Sequence, residues 1–166
     1  MNRPHVPRLV APLLAASMVL VSAGGVAAAD PPGTYFLDAF SCAVSDMDGN
    51  PLPEAVVPAG SEIVVFEGWI TNTRGQLQSF LNNATWVLTL NGQPADVTPY
   101  LSGLIDFGPF WGSLFSYPAG TLDVGGSLQT HYDNVLKAAS FDGVFHYAKG
   151  STYLGGVDCT VTVADE

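Results

Sequence analysis

From residue 34 onward, apolar and polar residues alternate in short runs, and turn-forming residues separate the runs. Alternation at period two marks a strand with one face in a core. It predicts strands over 34–45, 61–71, 110–117 and 125–139, a hairpin over 85–97, and further strands in GVFHYAKG (143–150) and GVDCTVTVAD (156–165). In 61–71, Ile63, Val65 and Trp69 share one face, and Val64, Phe66 and Ile70 share the other. Within 85–97, Asn91-Gly92 supplies the two left-handed positions of a type I′ turn. The stretch 46–60 carries Pro51, Pro53 and Pro58 and reads as a long turn region.

One stretch breaks the alternation. In TNTRGQLQSFLNNATW (71–86), Leu77, Phe80, Leu81 and Ala84 recur at helical spacing, and Thr73 with Gln76 forms a capping-box pair. These residues predict one short helix over about 73–84. Gly75 in its first turn weakens it by about 1 kcal/mol relative to alanine. So short a helix needs its apolar face docked, which makes it a plug for one end of a β-fold. Arg74 gains nothing from the dipole at a helix start, so a nearby acid such as Glu67 or Asp96 is its expected partner.

Seven or eight short strands with frequent turn signals imply an all-β protein, an antiparallel β-sandwich. Cys42 and Cys159 on inward strand faces, Trp69 in FEGWIT, the LNGQ hairpin and the run YPAGTLDVGGSL carry a resemblance. The layout resembles the immunoglobulin-like sandwich domains of secreted bacterial proteins. It departs from antibody-type domains, because the cysteines fall on the first and last predicted strands. The resemblance implies architecture alone, a single domain over 30–166, and transfers no functional residue.

Composition then places the chain in a compartment. Arg3 and Arg8, an apolar run over 9–26 and the small residues Ala27 and Ala29 predict a signal peptide over 1–29, cleaved after Ala29. An exported chain with two cysteines is expected to join them, so Cys42 and Cys159 form a disulfide in this reading. The whole chain has a formal net charge of −10, and losing Arg3 and Arg8 makes it more negative still. Phosphate binding needs clustered Lys and Arg, so nucleic-acid partners are not expected. No later stretch is long and apolar enough to span a bilayer.

Candidate chemistry is sparse. Asp46, Asp48 and Asn50 are spaced like calcium-loop ligands, but Pro51 stands where such a loop needs glycine, and a β-turn explains the same residues. His131 and His146 fall outside the spacings of common zinc sites. His131 and Asp133 would share a strand face as an acid–base pair, with no nucleophile identified beside them. The aromatic strand is the stronger lead. Trp111, Phe115 and Tyr117 point to one face of 110–117, which either fills the core or forms a binding surface. The resulting expectation is an exported, non-catalytic module with a binding or structural and adhesive role and no cofactor. Its partner would be an extracellular protein or a glycan. Two alternatives are a carbohydrate-binding accessory domain using the aromatic strand, and an extracytoplasmic hydrolase with a carboxylate pair.

Overall fold

The computed structural model describes residues 31–164, so the expected signal peptide over 1–29 lies outside the described residues. In chain order the elements are β1 (Thr34–Asp38), β2 (Val44–Ser45), β3 (Val56–Val57), β4 (Ser61–Thr71) and α1 (Arg74–Asn83). Then come β5 (Ala84–Leu90), β6 (Gln93–Ala95), β7 (Ile105–Asp106), β8 (Trp111–Leu122) and β9 (Ser127–Leu136). The chain closes with β10 (Ser140–Phe141), β11 (His146–Tyr147), β12 (Gly150–Ser151) and β13 (Val157–Val163). Among the described residues the protein is all-β apart from α1 and one 3-10 turn over Thr98–Tyr100.

Two larger sheets share one core. The first has strand order β2-β1-β4-β8-β7, and the second β3-β13-β9-β5-β6, with β12 also paired to β9. Alternation decides what each strand buries: Tyr35 and Leu37 on β1, Ile63 and Val65 on β4, Leu128 and Tyr132 on β9, and Val161 and Val163 on β13 meet between the sheets. The sheets are mixed rather than wholly antiparallel, which corrects the expected arrangement. β1 runs parallel to β4, and β3 runs parallel to β13. The chain leaves β1 and β2 in one sheet, touches the other sheet as β3 and returns as β4. Pro51, Pro53 and Pro58 keep that crossing segment from pairing at length.

The first predicted strand is also shorter than its alternation suggests. It stops at Asp38, whose Oδ1 accepts hydrogen bonds from the backbone N–H groups of Phe40 and Ser41. This side-chain turn competes with the ladder. Cys42 then takes a left-handed backbone, φ +60°, and the chain folds back into β2. Cys42 therefore sits in a turn, and its bond to Cys159 ties that turn of the first sheet to β13 of the second. At the other hairpin, Asn91 and Gly92 both have positive φ, as a type I′ turn requires.

The helix closes one end. Thr73 and Gln76 make the full capping box, and Leu77 and Phe80 are buried. Phe80 stacks on Trp69 at 4.0 Å between ring centroids, and Ala84 and Leu136 complete this second core cluster. Arg74 does not pair with Glu67 or Asp96. Its guanidinium lies over the Trp111 ring, 5.6 Å from the centroid, where the ring quadrupole attracts a cation.

Candidate functional site

The aromatic strand faces mostly inward. Phe115 is 1 % exposed and packs edge-on to Trp86, so the expectation that it contributes to a binding surface is corrected. Trp111 and Tyr117, on the same side of β8, are half-buried against the two core clusters, with Tyr117 also meeting Tyr100. Period two separates a strand's residues into two sets but does not say which set meets the core. Here the larger set went in, because only large rings fill the space opposite Trp86 and Tyr132.

Exposed aromatics do occur nearby, just before β8. Phe107 and Phe110 bracket the β7–β8 turn and are 46 % and 47 % exposed; Ile70 on β4 is 55 % exposed. The three belong to one patch. Ile70 faces Gly112 across the β4–β8 ladder, and the Phe107 ring lies so close above Gly112 that a Cβ there would meet it at 2.7 Å. The turn is closed by the Phe107 N–H donating to the Phe110 carbonyl, and by the Gly108 N–H donating to Asp106 Oδ1. Along the same face, Leu114 lies over Gly68, and half-buried Phe36 and Phe66 meet edge to face at 6.3 Å. The outward face of the first sheet is thus apolar, with its most exposed part at the Ile70–Phe107–Phe110 end.

The remaining sequence candidates resolve into local structure. Asp46 Oδ1 accepts from the N–H groups of Asp48 and Asn50, and its Oδ2 accepts from the Asn50 side chain. Those donors, led by Asn50, hold the Asp46 carboxyl below the usual range, as a turn-capping carboxylate should be. Among the described residues no three His, Cys, Asp or Glu side chains lie together as a metal-binding group. His131 does not pair with Asp133. Its Nδ1 lies 2.8 Å from Asp158 Oδ1 on the neighbouring strand β13, whereas Asp133 is buried. The ladder, which sets Asp158 opposite His131, overrides proximity in sequence.

The acid with the most perturbed chemistry entered the sequence reading only as a partner for Arg74. Glu67 lies on β4 between Val65 and Trp69, at the junction of the two core clusters. Burial pushes its carboxyl up to about 7; the Gly68 N–H opposes the shift, and the Asp38 charge and hydrogen bond add to it. Tyr132 and Tyr153 stand close enough for Glu67 to help raise their hydroxyls, although burial is the larger cause in both. Tyr132 Oη in turn accepts from Asn134 Nδ2 at 2.8 Å. The signal was present: the alternation that aligns Ile63, Val65 and Trp69 places Glu67 on the same face. Groups of this kind serve catalysis or serve the core.

No protein-family model, curated protein or solved structure matches this chain. Among the described residues, no helix is long and apolar enough to cross a membrane.

Proposed function

We propose that this chain is an exported, non-catalytic binding module of immunoglobulin-like type that docks a protein partner on the apolar outward face of its first sheet. The observation that carries the reading is the exposed patch of Ile70, Phe107 and Phe110 at one end of the first sheet. Large rings grouped at the surface stabilise association when a partner removes them from water. The disulfide between Cys42 and Cys159 supports the oxidising compartment that export implies.

Charge selects the kind of partner. A chain with net charge −10 repels a second copy of itself and attracts a partner whose apolar centre is rimmed by Lys and Arg. A glycan fits less well. Sugar platforms combine a flat ring with side-chain hydrogen-bonding groups, and the turn Phe107-Gly108-Pro109-Phe110 offers none. Its flanking Asp106 carboxylate already accepts from Gly108.

The triple variant Ile70→Ser, Phe107→Ser and Phe110→Ser tests this. The wild-type protein should retain a basic extracytoplasmic protein from the producing cells, and high salt should release it. With that partner purified, the variant should bind at least about tenfold more weakly while melting near the wild-type temperature. Equal affinity of a folded variant would rule the patch out as the contact surface.

A further inference from the structure

Charge is distributed unevenly along this chain. Between residues 31 and 164 the Lys and Arg residues are Arg74, Lys137 and Lys149, and all three fall in two stretches, 72–86 and 134–152. Those stretches hold one acid, Asp142, whereas eleven acids and no Lys or Arg occupy the rest of 31–164. The fold packs the two stretches together. The Asn72 N–H donates to the Asp142 carbonyl, and the Asn72 side-chain amide donates to the Gly143 carbonyl at 3.0 Å. These bonds seat the β10–β11 hairpin against the start of α1. Arg74 stands two residues past Asn72, Lys137 three residues before β10, and Lys149 two residues after β11. All three cations are exposed, and among the described residues none forms an ion pair with an acid.

The hairpin that these cations flank ends in an apolar turn. Val144 and Phe145 are 64 % and 61 % exposed, and Phe141, stacked on His146, is exposed as well. The one acid of the turn is occupied. Asp142 Oδ1 accepts from the Val144 and Phe145 N–H groups, and its Oδ2 accepts from the Tyr147 hydroxyl. Those bonds hold the shape of the turn while its apolar side chains stay in water. A narrow apolar turn with long cationic side chains at its base matches a phospholipid surface better than a flat protein face. Val144 and Phe145 reach the acyl boundary, and the lysines extend along the hairpin to headgroup level. The acids elsewhere repel an anionic surface, but charges more than about 8 Å away are screened at physiological salt.

We infer that the β10–β11 hairpin docks this protein on anionic phospholipid, with Val144 and Phe145 inserted at the headgroup boundary and Arg74, Lys137 and Lys149 facing the phosphates. The inference rests on residues outside the patch of Ile70, Phe107 and Phe110, and neither reading depends on the other.

Co-sedimentation with lipid vesicles tests it on the exported, disulfide-linked protein, every variant being compared in the same processed form. Vesicles of equal parts phosphatidylcholine and phosphatidylglycerol should bind half the protein at a lipid concentration on the order of 1 mM. Phosphatidylcholine alone should bind at least about tenfold more weakly, since each cation near an anionic surface contributes about fivefold. Val144→Ser with Phe145→Ser, and separately Lys137→Gln with Lys149→Gln, should each weaken binding about tenfold or more and melt near the wild-type temperature. If either pair fails to fold, Phe145→Ser and Lys149→Gln alone decide. The triple variant of Ile70, Phe107 and Phe110 should bind vesicles as the wild type does. No sedimentation with the mixed vesicles at about ten times that lipid concentration would overturn the inference. So would equal binding to both vesicle types, undiminished binding by either pair of substitutions, or binding lost only in the triple variant.

Discussion

Replacing Cys42 and Cys159 together by alanine should lower the stability of this protein by about 4–5 kcal/mol, a fall of roughly 15 °C in melting temperature. The size follows from the loop. The two cysteines are 117 residues apart in sequence, so the bond restricts nearly the whole described chain in the unfolded state. It also holds a turn that lies outside the strand ladders. The turn that carries Cys42 has Phe40 half exposed beside it and a left-handed residue at the cysteine itself. Held to β13, this turn covers the end of the core near Glu67, through Ala39 and its neighbours. Urea denaturation of the double variant, and of the reduced wild type, should show the same loss. A loss below about 1 kcal/mol in both would mean that packing between the sheets, not the bond, fixes the turn.

The second large effect concerns pH. Glu67 has a folded pKa of about 7 against an ordinary value of 4.5, so the folded protein holds this proton more tightly than the unfolded chain. The stability linked to that proton is fully present below about pH 4.5 and is lost as pH rises through about 7. The loss approaches roughly 3 kcal/mol on the alkaline side. Burial between the sheets is the main cause, because it penalises the charged carboxylate, and Asp38 adds to it. Glu67→Gln keeps the shape and stays neutral. It should stabilise the protein by about 2–3 kcal/mol at pH 8 and change it little at pH 4. Urea denaturation of both proteins from pH 4 to 8 gives the comparison. Parallel stability profiles would show that Glu67 is not the group that titrates.

Much of the scaffold was legible because its determinants are local. The capping box of Thr73 and Gln76, the helical stripe of Leu77 and Phe80, and the Asn91-Gly92 turn each act within a few residues, and each appears as read. The alternation of Val157, Cys159, Val161 and Val163 likewise survives as β13. What sequence did not reveal is non-local. Parallel pairing of β1 with β4 depends on where a proline-rich segment crosses between sheets. The inward choice for Phe115 depends on the rings across from it, and the partner of His131 depends on ladder register. Arg74 found an aromatic face where a carboxylate was expected, since the helix start lies over Trp111. Two cases had a local signal that pointed the right way. Glu67 follows the period of its own strand, and Asp38 with Ser41 is a turn sequence that stops β1. The exposed patch was half visible: the aromatic cluster marked the region, but its outward residues are Phe107 and Phe110 rather than Trp111, Phe115 and Tyr117.

The docking patch is most directly tested by site-specific photocrosslinking in the producing cells. A benzoylphenylalanine at position 110 reports on the patch, and one at position 124 reports on the far end of β8, about 35–40 Å away. Val124 is exposed there, so both probes reach solvent without disturbing the core. Irradiation should give a single heavier adduct from position 110, diminished at high salt, and none from position 124. Adducts from both positions alike, or from position 124 only, would contradict a protein partner docked on Ile70, Phe107 and Phe110.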